Sequence, residues 1–357
     1  VGSNKTITVN SITLADGTNG GLAANYSISA GQTTTAHIAP KSLTVSGNTA
    51  SNKIYDSNSS ATVTVTLSGF VGSETLTYTN SSSFNNKNVA TGKTVTVDSI
   101  TLADGNDGGL ASNYSVTPGQ TTTANITAKS LTVSGITASD KIYDGSTSST
   151  LTGTAVYSGL VSGDIFTGSY TGVFANANVG TGKTVNITPS YSGADVNNYS
   201  VTDQSTTTAN ITAKALTATA SASNKTYDGG TTASTTLTFT GLVGSETLGQ
   251  TVGSTFDNKN VGTGKTVTVN SITLADGSGL AANYSISAGQ TTTANITAKS
   301  LTVSGITASN KTYDGSTNVT LTGTAVYSGL VSGDTFDGTY TGAFSDKNVG
   351  TGKTVTT

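Results

Sequence analysis

The chain repeats itself every 85 to 88 residues, and this period limits the possible folds more than any other feature of the sequence. A segment that begins Lys-Ser-Leu-Thr-Val at Lys41 returns in the same or a closely similar form at Lys129, Lys214 and Lys299. A solenoid coil takes only about 20–45 residues, whereas one small β-sandwich domain takes about 100. The period therefore predicts a string of small domains, each folded around its own core.

Three further motifs return once in every period. In chain order they are Lys-x-Tyr-Asp, Gly-Lys-Thr-Val and Asn-Tyr-Ser, and they keep this order throughout. These recurrences place the repeats at 41–128, 129–213 and 214–298, with the C-terminal half of a repeat in 1–40 and the N-terminal part of another in 299–357. Residues 41–128 and 214–298 share Gly-Ser-Glu-Thr-Leu and are called type A here. Residues 129–213 and 299–357 share Gly-Thr-Ala-Val-Tyr-Ser-Gly-Leu-Val-Ser-Gly-Asp and are called type B.

Strict alternation of polar and apolar residues predicts strands throughout each repeat. In the repeat 129–213 the predicted strands are 129–136, 148–157, 165–171, 183–188, 198–202 and 206–212. Turn-forming sequences such as Asp144-Gly145 and Ser158-Gly159 separate them. Short strands at this spacing predict an all-β protein of tandem immunoglobulin-like β-sandwich domains.

No Gly/Ser linker separates consecutive repeats. The segment Thr206–Leu216 runs without a break from the last predicted strand of one repeat into the first strand of the next. Flexible linkers are rich in glycine and serine, so this segment predicts a short, stiff joint. We therefore expect the domains to be arranged as an elongated rod.

The composition excludes several classes of function. All 16 basic residues are lysines, they do not cluster, and the net charge is −3, so we expect no nucleic-acid partner. Cysteine is absent, so the domains must be stable without disulfides. No apolar run approaches the roughly 20 residues that span a bilayer, so we expect no membrane span in this segment.

The motifs at Lys141–Gly145, Asn178–Val185 and Asn198–Ser200 resemble the YDG-type repeat and the related mostly-bacterial immunoglobulin-like repeats. The resemblance covers essentially the whole chain. It implies extracellular arrays in very large bacterial adhesins similar to filamentous haemagglutinins, often exported by two-partner secretion, and it implies no catalytic residues. One departure is Ser57, which replaces the glycine of the motif and would be strained if the turn needs a positive φ.

The sequence contains few of the residues that catalysis or cofactor binding requires, so we expect no enzymatic activity and no cofactor. The only histidine, His37, stands where the other repeats have asparagine, which indicates a strand surface position. Gly180–Thr184 imitates the end of a phosphate-binding loop, but it lacks the leading glycine and runs into a predicted strand instead of a helix.

The acidic loops at 104–109 and 276–279 contain Asp-Gly turns and differ in their number of carboxylates. Calcium needs six to eight oxygen ligands, so we expect no metal site and no metal requirement.

The recurring tyrosines and aspartates are predicted to be structural. We expect the tyrosines to be core aromatics whose hydroxyls bond backbone groups, as in a tyrosine corner. Stacking on a carbohydrate is the alternative, and a Lys–Asn crosslink promoted by a nearby acid is a further one. The predicted structural residues are Tyr55, Asp56, Tyr143, Asp144, Tyr227, Asp228, Tyr313, Asp314, Tyr114, Tyr199 and Tyr284.

Three functions remain open on the sequence. The first is a stalk that projects a binding domain located elsewhere in a secreted or surface-anchored adhesin, with roles in cell adhesion and biofilm. The second is a subunit of an extracellular filament or sheath, and the third is a repeat module that binds a surface glycan or matrix. The expected partners are the neighbouring repeats of the same chain. Because Val1–Thr6 aligns with Val349–Thr354, the chain is expected to be either a slice of a longer array or a unit that joins identical chains end to end.

Overall fold

The protein is all-β, as the alternation of the sequence predicts. The computed structural model describes residues 1–357. The chain forms two compact units. The first unit holds 1–138, 150–172 and 186–207, and the second holds 139–149, 173–185 and 208–357. The only helices are four single 3-10 turns, at Ala23–Asn25, Ala111–Asn113, Val196–Asn198 and Ala281–Asn283.

Most strands lie within a single unit. Those of the first unit are Gly2–Thr8, Thr33–Ile38, Lys41–Ala50, Lys53–Ile54, Val63–Ser68, Leu76–Phe84, Ala90–Asp104, Tyr114–Val116, Thr121–Thr127, Lys129–Ser134, Thr137–Ala138, Leu151–Thr152, Val156–Ser158 and Tyr199–Thr202. Those of the second unit are Lys141–Ile142, Ser148–Ser149, Lys214–Ala215, Thr217–Ala222, Lys225–Thr226, Thr235–Thr240, Leu248–Phe256, Gly262–Asp276, Tyr284–Ser285, Thr291–Thr297, Thr302–Ser304, Thr307–Ala308, Leu321–Thr322, Val326–Ser328, Ala343–Phe344 and Val355–Thr356. Strands with residues in both units are Thr167–Phe174, Gly180–Ser192 and Thr206–Thr212.

The type A repeat 41–128 is a two-layer sandwich. In one sheet, Lys41–Ala50 pairs antiparallel with Val63–Ser68 and parallel with Tyr114–Val116. The chain then crosses to the other sheet, where Lys53–Ile54 pairs parallel with Thr121–Thr127. That sheet has four strands, in the order Lys53–Ile54, Thr121–Thr127, Ala90–Asp104, Leu76–Phe84.

The core of this repeat comes from the alternating apolar residues of the four-stranded sheet. Val95 and Val97 are fully buried, and Phe84 and Ile126 pack in the same cluster. The intervening threonines face outward because successive side chains of a strand point to opposite faces. Burying each such side chain contributes about 1.5–3 kcal/mol, and this packing replaces the disulfides that the chain lacks.

The type A repeat 214–298, in the second unit, has the same plan. Its four-stranded sheet has the order Lys225–Thr226, Thr291–Thr297, Gly262–Asp276, Leu248–Phe256. The facing layer holds the pair Thr217–Ala222 with Thr235–Thr240 and the parallel pair Lys214–Ala215 with Tyr284–Ser285.

Several predicted strands of 129–213 have other bounds in the structure, where they are Lys129–Ser134, Thr167–Phe174 and Tyr199–Thr202, and the strands Thr137–Ala138 and Lys141–Ile142 have no predicted counterpart. Two further differences are larger. The segment predicted as 183–188 is a longer strand, Gly180–Ser192. The segment predicted as 148–157 is divided into three short strands, partly because Gly153 has a φ of +82°. A Cβ at Gly153 would lie 2.4 Å from the carbonyl oxygen of Gly135, so the backbone at this position approaches its neighbour too closely for a side chain.

Two of the junctions between repeats consist of a single residue. Ala128 alone separates Thr121–Thr127 from Lys129–Ser134, and Ala213 alone separates Thr206–Thr212 from Lys214–Ala215. At these two junctions the structure agrees with the expectation that no flexible linker joins the repeats. No helix of the chain combines the length and the apolar character needed to cross a membrane.

Candidate functional site: the joints between repeats

The Lys-x-Tyr-Asp-Gly motif folds its own loop and leaves its tyrosine free to reach the next repeat. Lys141 Nζ lies 2.7 Å from Asp144 Oδ1 and 2.8 Å from the carbonyl oxygen of Ser146, and it sits 5.7 Å from the ring centre of Phe174. Hydrogen bonding from Lys141 lowers the pKa of Asp144. Gly145 completes the turn with a φ of +78°. The other copies of this ion pair are Lys53–Asp56, Lys225–Asp228 and Lys311–Asp314.

Tyr143 extends from repeat 129–213 into repeat 214–298, at what we call the second joint. Its side chain is buried, its hydroxyl donates to Glu246 Oε1 at 2.6 Å, and its ring meets that of Tyr284 edge to face at 5.4 Å. The hydrogen bond to Glu246, together with burial, raises the pKa of Tyr143 to about 12. The tyrosine therefore stays neutral at pH 7 and donates a hydrogen bond to the neighbouring repeat.

The Asn-Tyr-Ser motif of the following repeat supplies the other half of the second joint. The Tyr284 hydroxyl accepts from the Val243 amide at 2.9 Å and donates to Glu246 Oε2 at 2.6 Å. Asn283 is buried, and its Oδ1 accepts from the amide of Val179, in the preceding repeat, at 2.9 Å. One carboxylate thus holds two tyrosines from two repeats.

The first joint, between repeats 41–128 and 129–213, uses the same two motifs. Tyr55 is 1% exposed and meets the ring of Tyr199 edge to face at 5.6 Å. The Tyr199 hydroxyl donates to Asp164 Oδ2 at 2.5 Å, and burial together with this bond raises the pKa of Tyr199 to about 12. Asn198 Oδ1 accepts from the Val89 amide of the preceding repeat at 2.9 Å.

The first joint also contains an ion cluster that the second joint lacks. Lys87 Nζ lies 2.8 Å from Asp195 Oδ1 and 3.4 Å from Asp164 Oδ1. The hydrogen bond to Asp195 raises the pKa of Lys87, and the same bond lowers that of Asp195. Burial alone would raise the pKa of Asp164, but hydrogen bonds, chiefly from Tyr199 and Ser57, outweigh burial and lower it.

The first joint is expected to lose stability in acid. Because the folded chain holds the pKa values of Asp164 and Asp195 below their ordinary value, their contribution is fully present above about pH 4 and is lost as the pH falls through the lower folded values. Thermal unfolding followed by circular dichroism between pH 7 and pH 2 checks this. The fall in melting temperature from pH 7 to pH 2 should be smaller in Asp195→Asn. An equal fall in that variant would mean that Asp195 does not contribute to the acid sensitivity.

Ser57 has the positive φ that the sequence predicts would strain it. Its φ is 68°, close to the values of Gly145, Gly229 and Gly315 at the same place in the other copies. The serine side chain adds a contact that glycine cannot make, because its hydroxyl donates to Asp164 Oδ1 at 2.7 Å across the first joint.

Substitutions at Ser57 should separate these two effects. Ser57→Ala keeps the strained backbone and loses the charged hydrogen bond, so we expect it to destabilise the chain by about 1.5–3 kcal/mol. Ser57→Gly also relieves a strain of about 1–2 kcal/mol and should be milder than Ser57→Ala by about that amount. Urea unfolding of both variants measures the difference. Equal stabilities would mean that the left-handed conformation carries no strain.

The structure places the predicted structural tyrosines in different settings. Tyr114, Tyr199 and Tyr284 are buried, and each hydroxyl accepts from a backbone amide, as the sequence predicts. Tyr55 and Tyr143 are also buried, but their hydroxyls donate to carboxylates of the following repeat instead of bonding a backbone group. The reason is that the loop projects them across a joint.

In the two remaining copies of the Lys-x-Tyr-Asp motif the tyrosine side chain is more exposed to solvent. Tyr227 is half-buried and lines a cavity with Val331 and Asp334, and Tyr313 is 58% exposed.

The residues of the following repeat that complete the first and second joints were not predicted from the sequence. Asp164, Asp195, Glu246, Asn198 and Asn283 complete the joints, although they lie 100 or more residues from the loops they contact. A signal was available for Asp164 and Glu246, because every repeat carries an acid at their position, but not for Asp195, since leucine stands at its position in 214–298. The acids at the shared position are Glu74, Asp164, Glu246 and Asp334.

The segment that imitates a phosphate-binding loop is part of a turn and strand. Gly182 has a φ of +58°, its amide donates to Asn210 Oδ1 at 2.8 Å, and Lys183 Nζ donates to Asn176 Oδ1 at 2.6 Å. The strand Gly180–Ser192 follows without a helix, so the segment offers no helix N-terminus to an anion. His37 is an exposed residue of the strand Thr33–Ile38.

The carboxylates of the acidic loops are engaged in local turns. Asp104 Oδ1 accepts from the Ala111 amide at 2.7 Å, and Asp107 Oδ2 accepts from the Thr75 hydroxyl at 3.1 Å. Asp276 repeats the first contact with the Ala281 amide. We therefore expect millimolar calcium to leave the melting temperature unchanged. A rise of many degrees that a chelator reverses would contradict this.

The lysine of the Gly-Lys-Thr-Val motif comes near an asparagine and an acid in one repeat. Lys265 Nζ lies 2.7 Å from Asn258 Oδ1 and 2.9 Å from Asp257 Oδ1. The hydrogen bond from Lys265 lowers the pKa of Asp257, so that carboxylate is ionised and has no proton to give to a departing amide nitrogen. This geometry favours an ion pair over a crosslink.

Comparison with known proteins places the joints within a repeated family segment. A family model described as YDG domain matches residues 39–124, 127–209, 212–294 and 297–357. No curated protein matches the chain. Among solved structures, the chain is similar to the crystal structure of the I9–I11 tandem from titin, with 10% sequence identity and a TM-score of 0.18, over 72% of this chain and 98% of that one. Each family segment begins two residues before a repeat boundary predicted from the sequence.

Proposed function

This chain belongs to the YDG domain family through four consecutive copies, and we propose that it is a structural spacer, a stalk segment of a large bacterial adhesin. Its role is to hold a binding region, carried elsewhere in the same surface protein, away from the cell. We place it outside the cell, secreted or attached to the bacterial surface, and we assign it no catalytic activity.

The observation that carries this proposal is the bonding at the joints. At the second joint, Tyr143 and Tyr284 share the carboxylate of Glu246, and Asn283 bonds the Val179 amide. In these contacts the side chains of Tyr143, Tyr284 and Asn283 are almost completely buried, and that of Glu246 is half-buried. Buried hydrogen bonds to a charged group contribute about 1.5–3 kcal/mol each, so the repeats resist bending at this joint.

The use of the recurring residues supports a spacer over an enzyme or a binding module. The lysine and aspartate of the Lys-x-Tyr-Asp-Gly motif fold their own loop, and its tyrosine bonds the next repeat. The Asn-Tyr-Ser motif serves the same joint from the other side. At the second joint the tyrosine of one motif and the asparagine and tyrosine of the other therefore hold neighbouring repeats together.

Solution scattering tests the spacer function. Residues 41–298 should give an elongated profile, because each joint is short and bonded. A compact profile would contradict the proposal. The location has a separate test, in which antibodies raised against 41–298 should label intact producing cells as strongly as broken ones. Labelling only after lysis would place the protein inside the cell.

A further inference from the structure

The two joints differ in charge, and the difference follows the type of repeat that comes second. At the first joint, the type B repeat presents Asp164 and Asp195, whose side chains are 1% and 8% exposed. Two carboxylates buried this close repel each other and have lost their hydration, which is costly unless a cation lies between them. Lys87 of the preceding type A repeat is the cation that contacts both.

At the second joint, the type A repeat presents a single acid at the same place. Glu246 stands at the position of Asp164, and Leu280 stands at the position of Asp195, since each directly precedes the 3-10 turn of its repeat. Two tyrosine hydroxyls satisfy Glu246. The preceding type B repeat has Ala177 where Lys87 stands at the first joint. No cation is needed here, and the position supplies none.

From this contrast we infer that the joints specify the order of the repeats. The surface formed by Asp164 and Asp195 accepts a preceding repeat that carries lysine at the position of Lys87, and it disfavours one that carries alanine. A type B repeat therefore fits after a type A repeat, and it fits poorly after a type B repeat such as 129–213.

The order of the repeats in the chain agrees with this inference. Both type A repeats carry the lysine, as Lys87 and Lys259, and each is followed by a type B repeat with an aspartate, Asp164 or Asp334. The acid pair requires a lysine in the preceding repeat, but the lysine does not require an acid pair in the following one. Lys347, at the same position in 299–357, is exposed, and an exposed lysine is hydrated without a partner. Selectivity therefore belongs to the acid pair.

Amide hydrogen exchange on the full chain tests the inference, because each joint contains one amide that bonds across it. The Val89 amide, bonded to Asn198, reports on the first joint, and the Val179 amide, bonded to Asn283, reports on the second. Lys87→Ala gives the first joint the residue found at the second. We expect Val89 to exchange about tenfold faster, less than for a fully buried pair because Lys87 is partly exposed, while Val179 keeps its rate.

A second substitution distinguishes an unpaired charge from lost packing. Asp195→Asn removes one carboxylate charge but keeps an oxygen that can accept from the Ile165 amide. In the Lys87→Ala background it should restore the protection of Val89, because the lysine is then no longer required. The inference is wrong if the effects of the two substitutions on the exchange rate of the Val89 amide simply add. It is also wrong if Lys87→Ala leaves that rate unchanged.

Ala177→Lys is the matched control at the other joint. Since the surface of Glu246 needs no cation, Val179 should exchange at its usual rate in this variant. A change as large as that caused by Lys87→Ala would show that any substitution at this position disturbs a joint, and would overturn the inference. If Lys87→Ala also exposes Val179, the chain has unfolded globally, and Lys87→Gln then takes its place with the same expected results.

Discussion

Tyr143→Ala is expected to destabilise the chain by about 3–5 kcal/mol, the usual effect of removing a large buried aromatic side chain. Tyr143 is 5% exposed and packs against Tyr284. Urea unfolding of the full chain measures the loss. Exchange of the Val179 amide should accelerate in parallel, because that amide bonds Asn283 across the same joint.

Tyr143→Phe isolates the hydroxyl group. The sequence alone suggests a loss of about 1 kcal/mol, the value for an ordinary hydrogen bond. The structure raises this expectation to about 1.5–3 kcal/mol, because the acceptor is the carboxylate of Glu246 at 2.6 Å. The variant also leaves that carboxylate with one tyrosine donor fewer.

The chain offers a matched control for Tyr143. Tyr313 occupies the same place in the motif of residues 299–357, but it is 58% exposed. Tyr313→Ala should therefore change the stability by less than about 0.5 kcal/mol, as surface substitutions do. Wild-type stability of Tyr143→Ala would mean that the ring does not pack at the joint, and it would favour a surface role such as carbohydrate stacking.

Local features of the fold could be predicted from the sequence because they depend on local rules. The alternation Thr-Val-Thr-Val predicts strands with the valines inside, and Val267 and Val269 are buried. Glycine at the turn of the tyrosine motif predicts a positive φ, and Ser57 shows the same backbone when serine replaces it. Each inference needs only a few neighbouring residues.

The joints could not be predicted in the same way, because their partners lie far apart in sequence. Tyr143 and Glu246 are separated by 103 residues, and Tyr55 and Asp195 by 140. Recurrence makes each motif visible but does not show which motifs meet. A tyrosine hydroxyl can bond a backbone group or a carboxylate equally well, so residue type alone could not show that Tyr55 and Tyr143 reach the following repeat.

Tyr199→Ala should have an effect as large as Tyr143→Ala, but it should weaken two regions at once. Its ring meets Tyr55 of the preceding repeat at 5.6 Å and Phe166 of its own repeat at 5.7 Å. Its hydroxyl accepts from the Val161 amide and donates to Asp164. We expect a loss of about 3–5 kcal/mol, with faster exchange of both Val89, which reports on the first joint, and Val161, which reports on the repeat itself.

Tyr199→Phe and Tyr26→Ala complete the test. The phenylalanine keeps the ring contacts but leaves the partly buried Val161 amide without its acceptor, which costs about 1–3 kcal/mol. Tyr26 holds the same place in the Asn-Tyr-Ser motif of residues 1–40 and is 70% exposed, so its loss should leave the unfolding curve unchanged. If Tyr199→Ala exposes Val161 but not Val89, the tyrosine supports only its own repeat, and the joint is held by Lys87, Asn198 and the aspartates. If both amides lose protection together, a single ring couples the core of one repeat to the end of another.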